Sequence, residues 1–347
     1  MLACGIPHVG PSSARETVVR AGEPSEGGEP LPPVLGVTIT NPWVGATPAG
    51  ASLRAALRAL RSRTGRPPVA RVVFDAGVDR VRPAYAVDAR DYAEHVRALG
   101  ADARIMGELL DSLAVREYSL ADYRARACEY RAALGHLVDV WEVGNEVNGE
   151  WLGPDVIAKV AAAVEVFRAD AARFAALCPG HAPRPDERPF ELALTLYYNG
   201  EHDGGRSHCW ARADHAMQRW VETHFGPGGD AAHLRGELDH VLVSYYEDDC
   251  HGLQPSWQEV FDRLGAVFTT SSLAIGECGT VHVARKARYA ERYYRGMSSS
   301  DPAFANMRVS HPRYVGGFFW WYFSEDHDEP AVRSVLEAAL DDPFWRR

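Results

Sequence analysis

The stretch Trp141-Glu142-Val143-Gly144-Asn145-Glu146-Val147-Asn148-Gly149-Glu150-Trp151 puts a carboxylate where an apolar run ends. Leu137 to Val143 reads as a strand, and Asn145 and Glu146 follow it side by side, ahead of a Gly-containing turn. A strand end gives an acid a rigid mount and a partly desolvated setting, which is what a general acid needs. A capping or salt-bridged Glu at a strand-to-helix loop would look the same in sequence, so a second group has to decide. Glu277 supplies it: Leu273-Ala274-Ile275-Gly276-Glu277-Cys278-Gly279 is an apolar strand ending on one acid between small residues. Two carboxylates on opposite sides of a pocket are the minimum for cleaving a glycosidic bond. One protonates the leaving oxygen, and the other attacks the anomeric carbon or activates water. Glu146 would need a raised pKa to hold its proton. Glu277 would need donors to stay ionised, with the Tyr246 hydroxyl and Arg71 as candidates.

The elements that must position these groups alternate along the chain. Apolar runs at Val34 to Thr40, Val69 to Asp75, Asp102 to Leu110, Leu137 to Val143, Phe190 to Tyr198, His240 to Tyr246, Ser272 to Glu277 and Tyr314 to Tyr322 read as strands. Helical stripes separate them. Leu53, Leu57 and Leu60 mark one helical face, with Arg54, Arg58 and Arg61 turned away; Val156, Val160, Val164, Phe167, Ala171 and Phe174 mark another. Ser119 to Asp122 and Ser256 to Glu259 have capping-box spacing, and Gly135 closes the helix that Ser119 opens. Strands that are apolar nearly throughout imply a parallel sheet covered on both sides. The fold class predicted is α/β, a closed (β/α)8 TIM barrel. A doubly wound open sheet is disfavoured by the lack of a GxGxxG or GxxxxGK[ST] turn after the first strand. Residues 1–33, rich in Gly, Pro and Glu, read as a flexible leader, and 34–347 as a single catalytic barrel.

In such barrels chemistry gathers at the C-terminal strand ends. In chain order these carry Asn41 and Trp43, Asp75, Glu108 and Asp111, Asn145 and Glu146, Tyr197 to Asn199, Tyr245 and Tyr246, Glu277, and Trp320 and Trp321. Successive residues of a strand face opposite ways. One of Trp320 and Trp321 therefore faces the pocket as a sugar platform while the other packs beneath a helix, and of the tyrosine pair Tyr246 is favoured for the nucleophile. A plain structural ion pair, for instance to Asp75 or Glu108, is the lesser alternative for Arg71. Of Trp43, Trp151 and Trp210, one or two are expected to line the cleft. Aromatics around a carboxylate pair suit stacking on pyranose faces, hence an oligo- or polysaccharide substrate.

The chain has 347 residues and a formal net charge of -10. That charge argues against a nucleic-acid surface and mildly against polyanionic glycans. Six cysteines without CxxC spacing read as free, mostly structural thiols rather than a metal site. The acidic loops at Asp248 to His251 and Ser324 to Glu329 match neither EF-hand nor HExxH spacing, so neither a metal nor another cofactor is expected. No apolar run is long enough to span a membrane, and Met1 to Pro11 has no signal-peptide pattern. The location expected is therefore cytoplasmic. Leu2-Ala3-Cys4 resembles the remnant of a lipoprotein cleavage site, which would make the protein exported or lipid-anchored if its true start lies upstream.

Taken jointly, Asn145-Glu146 on the fourth strand, Glu277 on the seventh, the Tyr pair on the sixth and Trp320-Trp321 on the eighth resemble clan A of the retaining glycoside hydrolases, from about Val34 to the C-terminus. The resemblance implies Glu146 as acid/base, Glu277 as nucleophile and Asn145 as donor to the sugar 2-hydroxyl. It also implies Arg71 as the second-strand Arg beneath the nucleophile. The clan often has His-x-Tyr on the sixth strand, where Ser244-Tyr245-Tyr246 stands here. Gly144-Asn145-Glu146 and Ser244-Tyr245-Tyr246 are similar to patterns of the endo-β-1,4-galactanase family, but Glu247-Asp248-Asp249 replaces the Pro and aromatic residues expected next. The expected activity is hydrolysis with retention. A transglycosidase using the same residues and a carbohydrate-binding barrel without turnover are the alternatives. Sugar, linkage and oligomeric state are not encoded legibly.

Overall fold

Eight parallel strands close into a barrel in chain order, each hydrogen-bonded to its sequence neighbours and β8 to β1. They are β1 (Val34–Ile39), β2 (Val69–Val73), β3 (Arg104–Glu108), β4 (Val140–Gly144), β5 (Glu191–Tyr197), β6 (His240–Ser244), β7 (Ser272–Glu277) and β8 (Tyr314–Trp320). The computed structural model describes residues 30–40, 50–76, 87–200 and 212–346. Most of the leader, and with it Cys4, therefore lies outside the described residues, as do Asn41, Trp43, Cys209 and Trp210. Each run predicted as a strand coincides with one of the eight.

Around the barrel run α1 (Ala51–Thr64), α2 (Ala93–Gly100), α3 (Leu120–Leu134), α4 (Val156–Arg168), α5 (Ala171–Leu177), α6 (Met217–Phe225), α7 (Trp257–Val267), α8 (Val283–Arg295), the short α9 (Phe323–Asp326) and α10 (Pro330–Leu340). Their sequences explain their limits. Helix α1 buries Leu53, Leu57 and Leu60, and ends at Gly65, whose φ of 71° only glycine adopts freely. Ser119 and Asp122 form the reciprocal capping box that starts α3. Ser256 precedes α7 without a side-chain cap, contrary to its spacing. The stripe from Val156 to Phe174 is two helices, not one: Ala169 is extended and Asp170 caps a fresh start at the Arg173 N–H.

The apolar residues form two bodies. The larger lies between strands and helices. The smaller fills the barrel's interior with Val69, Met106, Val140, Ala193, Leu242, Ala274, Val315 and Phe319, and Val34 packed against them. Its members face inward, as the two-residue period of each strand requires.

The cysteines do not follow the sequence reading. Cys128 on α3 and Cys178 after α5 form a disulfide, and Cys250 is also disulfide-bonded; among the described residues only Cys278 is a free thiol, and it is buried. Residues 50 apart carry no spacing signal; packing of α3 beside the end of α5 brings the two Cα atoms to 5.5 Å.

Candidate active site

Two residues beyond the apolar layer, the same strands turn polar side chains inward. Arg71 follows Val69, Glu108 follows Met106, Glu142 follows Val140, Thr195 follows Ala193 and Ser244 follows Leu242. Arg71 is fully buried at the centre of this second layer. Its Nε–H and one Nη2–H donate to Glu142 at 2.7 Å each, Nη1 donates to the Gly276 carbonyl at 3.1 Å, and Nη2 pairs with Glu277 Oε1 at 2.7 Å. Glu108 Oε2 stands 3.0 Å from Nε. Arg71 therefore does both things its sequence context allowed: it sits under Glu277 and anchors a structural ion cluster, whose other members are Glu108 and Glu142 rather than Asp75.

Glu277 is out of phase with its strand. Ala274 and Gly276 face inward, so strict alternation would send Glu277 outward, but the β6–β7 register shifts between Val243 and Ser244 and pairs Ser244 with Glu277. Such an irregularity re-aims a side chain. Gly276 permits the tight approach, since a Cβ there would lie 2.6 Å from the Leu242 Cβ. The Glu277 carboxylate then pairs with the Arg71 guanidinium and accepts from Asn145 Nδ2 at 2.7 Å and from the Tyr246 hydroxyl at 2.7 Å. Burial, reinforced by the Glu277 and Glu146 charges, pushes the Tyr246 hydroxyl well above its ordinary pKa, so it stays a donor.

Glu146 is brought in by a second irregularity. The β4–β5 register shifts between Glu142 and Gly144, and Glu146 itself has φ 48°, a left-handed value uncommon outside glycine. Its surroundings differ from those of Glu277. Oε1 accepts from the Ser244 hydroxyl at 2.6 Å and Oε2 from the Ser112 hydroxyl at 2.7 Å; the Ser112 oxygen in turn accepts from Trp151 Nε1 at 3.0 Å. Neither donor is charged. Burial, with the neighbouring Glu277 charge, raises the Glu146 pKa from 4.5 to about 8 in spite of both serines. Ser244, which stands where the clan has His, is thus a direct partner of this acid. Asn145 bridges the two acids' settings: its Oδ1 accepts from the Ser112 N–H at 3.0 Å while its Nδ2 serves Glu277.

These groups open into a cavity of ≈ 310 Å³. Its described lining includes Asn145, Glu146, Tyr246 and Glu277, with Trp151, Tyr197, Trp321 and Leu113 as apolar surfaces and Asp111 and Asp249 at its edges. Of the tryptophan pair, Trp321 faces the cavity, with Arg71 Cζ 5.7 Å from its ring centroid. Trp320 does not: it is fully buried on the outer side, its Nε1 donating to Asp326 at 2.8 Å. Tyr245 is likewise not a cleft residue. It points outward into an aromatic cluster with Tyr198 and Trp257, and its hydroxyl donates to the Leu253 carbonyl. Asp75 is exposed and outside the described lining; its N–H donates to the Tyr92 hydroxyl and its carbonyl accepts from Arg126. Trp43 lies outside the described residues.

Sequence reasoning passed over Glu142, Thr195 and Ser112. Glu142 takes Arg71 on both oxygens, and its Oε1 also accepts from the Thr195 hydroxyl. A polar residue two positions after an inward apolar one, recurring in five strands, is the signal that marks this layer.

No family model matches the chain, and no curated protein matches it. Among solved structures, ScGas2 in complex with a small compound superposes on 90% of this chain and 66% of its own, with a TM-score of 0.50 and 14% identity. The AHE enzyme from Alicyclobacillus herbarius matches over 84% of this chain and 87% of its own, at TM-score 0.48 and 14% identity. The endo-1,4-beta-mannanase from Rhizomucor miehei covers 89% and 94%, at TM-score 0.48 and 9% identity. Likeness at these identities is one of fold. The chain is a (β/α)8 barrel, the architecture that the resemblance to clan A implies.

Proposed function

We propose that the protein cleaves glycosidic bonds with retention, using Glu277 as nucleophile and Glu146 as acid and then base. The observation that carries this reading is the contrast between the two carboxyls. One is held by neutral hydroxyls, buried, with a pKa of about 8; the other is ion-paired with a guanidinium and accepts from an amide and a phenol. An acid whose burial keeps its proton, beside a carboxylate supplied with donors and a cation, is what double displacement requires.

In the first step the Glu146 carboxyl gives its proton to the glycosidic oxygen as that oxygen's bond to the anomeric carbon breaks. A Glu277 oxygen forms the new bond, and the sugar is left as a glycosyl ester. In the second step the Glu146 carboxylate takes a proton from water, the water oxygen attacks the anomeric carbon, and Glu277 leaves as carboxylate. Ser112 and Ser244 fix the direction of Glu146; Arg71 and Tyr246 stabilise the departing Glu277 charge. The Asn145 amide can turn from Glu277 to the 2-hydroxyl of the bound sugar. Trp321, Trp151 and Tyr197 offer ring faces and edges for an oligo- or polysaccharide. A Cys128–Cys178 disulfide and a disulfide-bonded Cys250 support an oxidising compartment rather than the cytoplasm as the place of action.

The test is intact mass after incubation with 2-fluoro glycosides bearing good leaving groups. One sugar's mass on the wild type, mapped to Glu277 and missing from Glu277→Gln, is the expected result. Binding of polysaccharide with neither labelling nor new reducing ends would replace this reading with a carbohydrate-binding barrel. Products with and without an added acceptor sugar separate hydrolysis from transfer.

A further inference from the structure

Glu108 on β3 and Glu142 on β4 are register partners in adjacent parallel strands, and both reach the same guanidinium nitrogen. A single Nε–H cannot serve two carboxylate oxygens equally, and the hydrogen bond goes to Glu142 Oε2. Of the other N–H groups of Arg71, one Nη2–H donates to Glu142 and one Nη1–H to the Gly276 carbonyl, while Nη2 also stands 2.7 Å from Glu277 Oε1. Glu142 is well supplied as an anion, its Oε1 accepting additionally from Thr195 and, at 3.4 Å, from Asn145 Nδ2. Glu108 receives nothing: it is fully buried, and neither oxygen has a hydrogen-bond partner. An ionised carboxylate with no hydrogen-bond donor, in a cluster where one cation already faces two other acids, carries a desolvation cost that the shared Arg71 charge offsets only in part.

We propose that Glu108 is a neutral carboxylic acid at neutral pH, its hydroxyl directed to Glu142, and that this acid–carboxylate pair leaves Arg71 free to hold Glu277. The charged and titratable groups that face it are Arg71 from β2, Glu142 from β4, Glu277 from β7, Asp111 from the loop after β3, and Tyr123 from α3. Burial first, then the Glu142, Asp111 and Glu277 charges, hold the Glu108 carboxyl well above the usual carboxylate range, with Arg71 opposing. Glu108 is a positioning residue, acting on Glu277 through Arg71. A catalytic effect of Glu108 rests on the proposed role of Glu277 as nucleophile; the protonation of Glu108 stands without it.

Two measurements test the proposal. The first is infrared spectroscopy at neutral pH on protein with isotope-labelled glutamate, in a Glu146→Gln background that removes the other neutral acid. A protonated-carboxyl carbonyl band that disappears in Glu146→Gln/Glu108→Gln is expected. Absence of the band, or its loss only in Glu146→Gln/Glu142→Gln, overturns the assignment. This readout needs no turnover, so it decides even if no glycoside is cleaved. The second is the acid limb of the kcat/KM profile. Glu108→Ala removes the donor to Glu142, so that Glu142 competes harder for Arg71, and the limb moves to higher pH by about one unit. Glu108→Gln keeps an N–H donor of the same shape and returns the limb to the wild-type position. A Glu108→Gln limb moved to lower pH instead would mean that the wild type carries a charge there, and would overturn the proposal.

Discussion

Two layers of the barrel interior, built by the same five strands, differ in every respect except direction. Val69, Met106, Val140, Ala193 and Leu242 form a dry floor; Arg71, Glu108, Glu142, Thr195 and Ser244, two residues further along each strand, form a charged platform. The layers are about 6.6 Å apart along a strand. The floor keeps water from reaching the charges from below, which strengthens each electrostatic contact and raises the cost of any left unpaired. The lesson is that the floor works by volume and the platform by pairing, so substitutions in the two should fail in different ways.

The largest effect is expected on the platform. Arg71→Met leaves Glu142 and Glu277 buried without their cation and should destabilise the fold by about 3–5 kcal/mol, read from urea midpoints. Leu242→Ala on the floor should cost about 2–5 kcal/mol through the cavity left behind. It should leave the shape of the stability-versus-pH curve unchanged, which Arg71→Met should not. Should the two variants alter that curve alike, the distinction between layers fails.

Glu146→Gln sharpens the comparison one layer higher. The folded pKa of Glu146, about 8, lies above its ordinary 4.5, so between those values the native state holds a proton that the unfolded chain has released. The stabilising contribution is complete below pH 4.5 and is lost as pH rises to about 8, at up to about 1.4 kcal/mol per pH unit. The variant should lack that decline in denaturation measured across this window. In the wild type, kcat/KM should fall as pH rises through about 8, when the acid loses its proton. The smallest effect is expected for Thr195→Val, which takes one hydroxyl from Glu142 at similar volume and should cost about 1–2 kcal/mol by thermal or chemical unfolding.

Legibility in the sequence followed the same division. The strands were readable because their apolar runs are continuous, and Glu146 and Glu277 because each stands at or just past the end of such a run. Glu142 was obscured by its place inside a run, where attention to strand ends passes it over. Tyr246 could be chosen over Tyr245 because it stands at the strand end, where the nucleophile was expected. No such cue separated Trp320 from Trp321, since both follow an apolar run whose residues from Tyr314 to Trp320 are all buried. Only the packed barrel shows Val315 and Phe319 inward, hence Trp321 inward and Trp320 outward. Gly316, Gly317 and Phe318, all with positive φ, further distort that strand. The register shifts that re-aim Glu277 and bring in Glu146 have no sequence marker beyond Gly144 and Gly276, and the Cys128–Cys178 pairing depends wholly on helix packing.

The Cys128–Cys178 bridge also makes a ring of chain, and all that β4 and its following loop contribute lies within it: Glu142, Asn145, Glu146 and Trp151. A protease cutting the exposed turn at Gly153, Pro154 and Asp155 would open the backbone without releasing a fragment. Both cut ends would stay tethered at high effective concentration, and the acid would remain seated between its two serines. Loss of the nicked segment would then require a reductant as well as the protease.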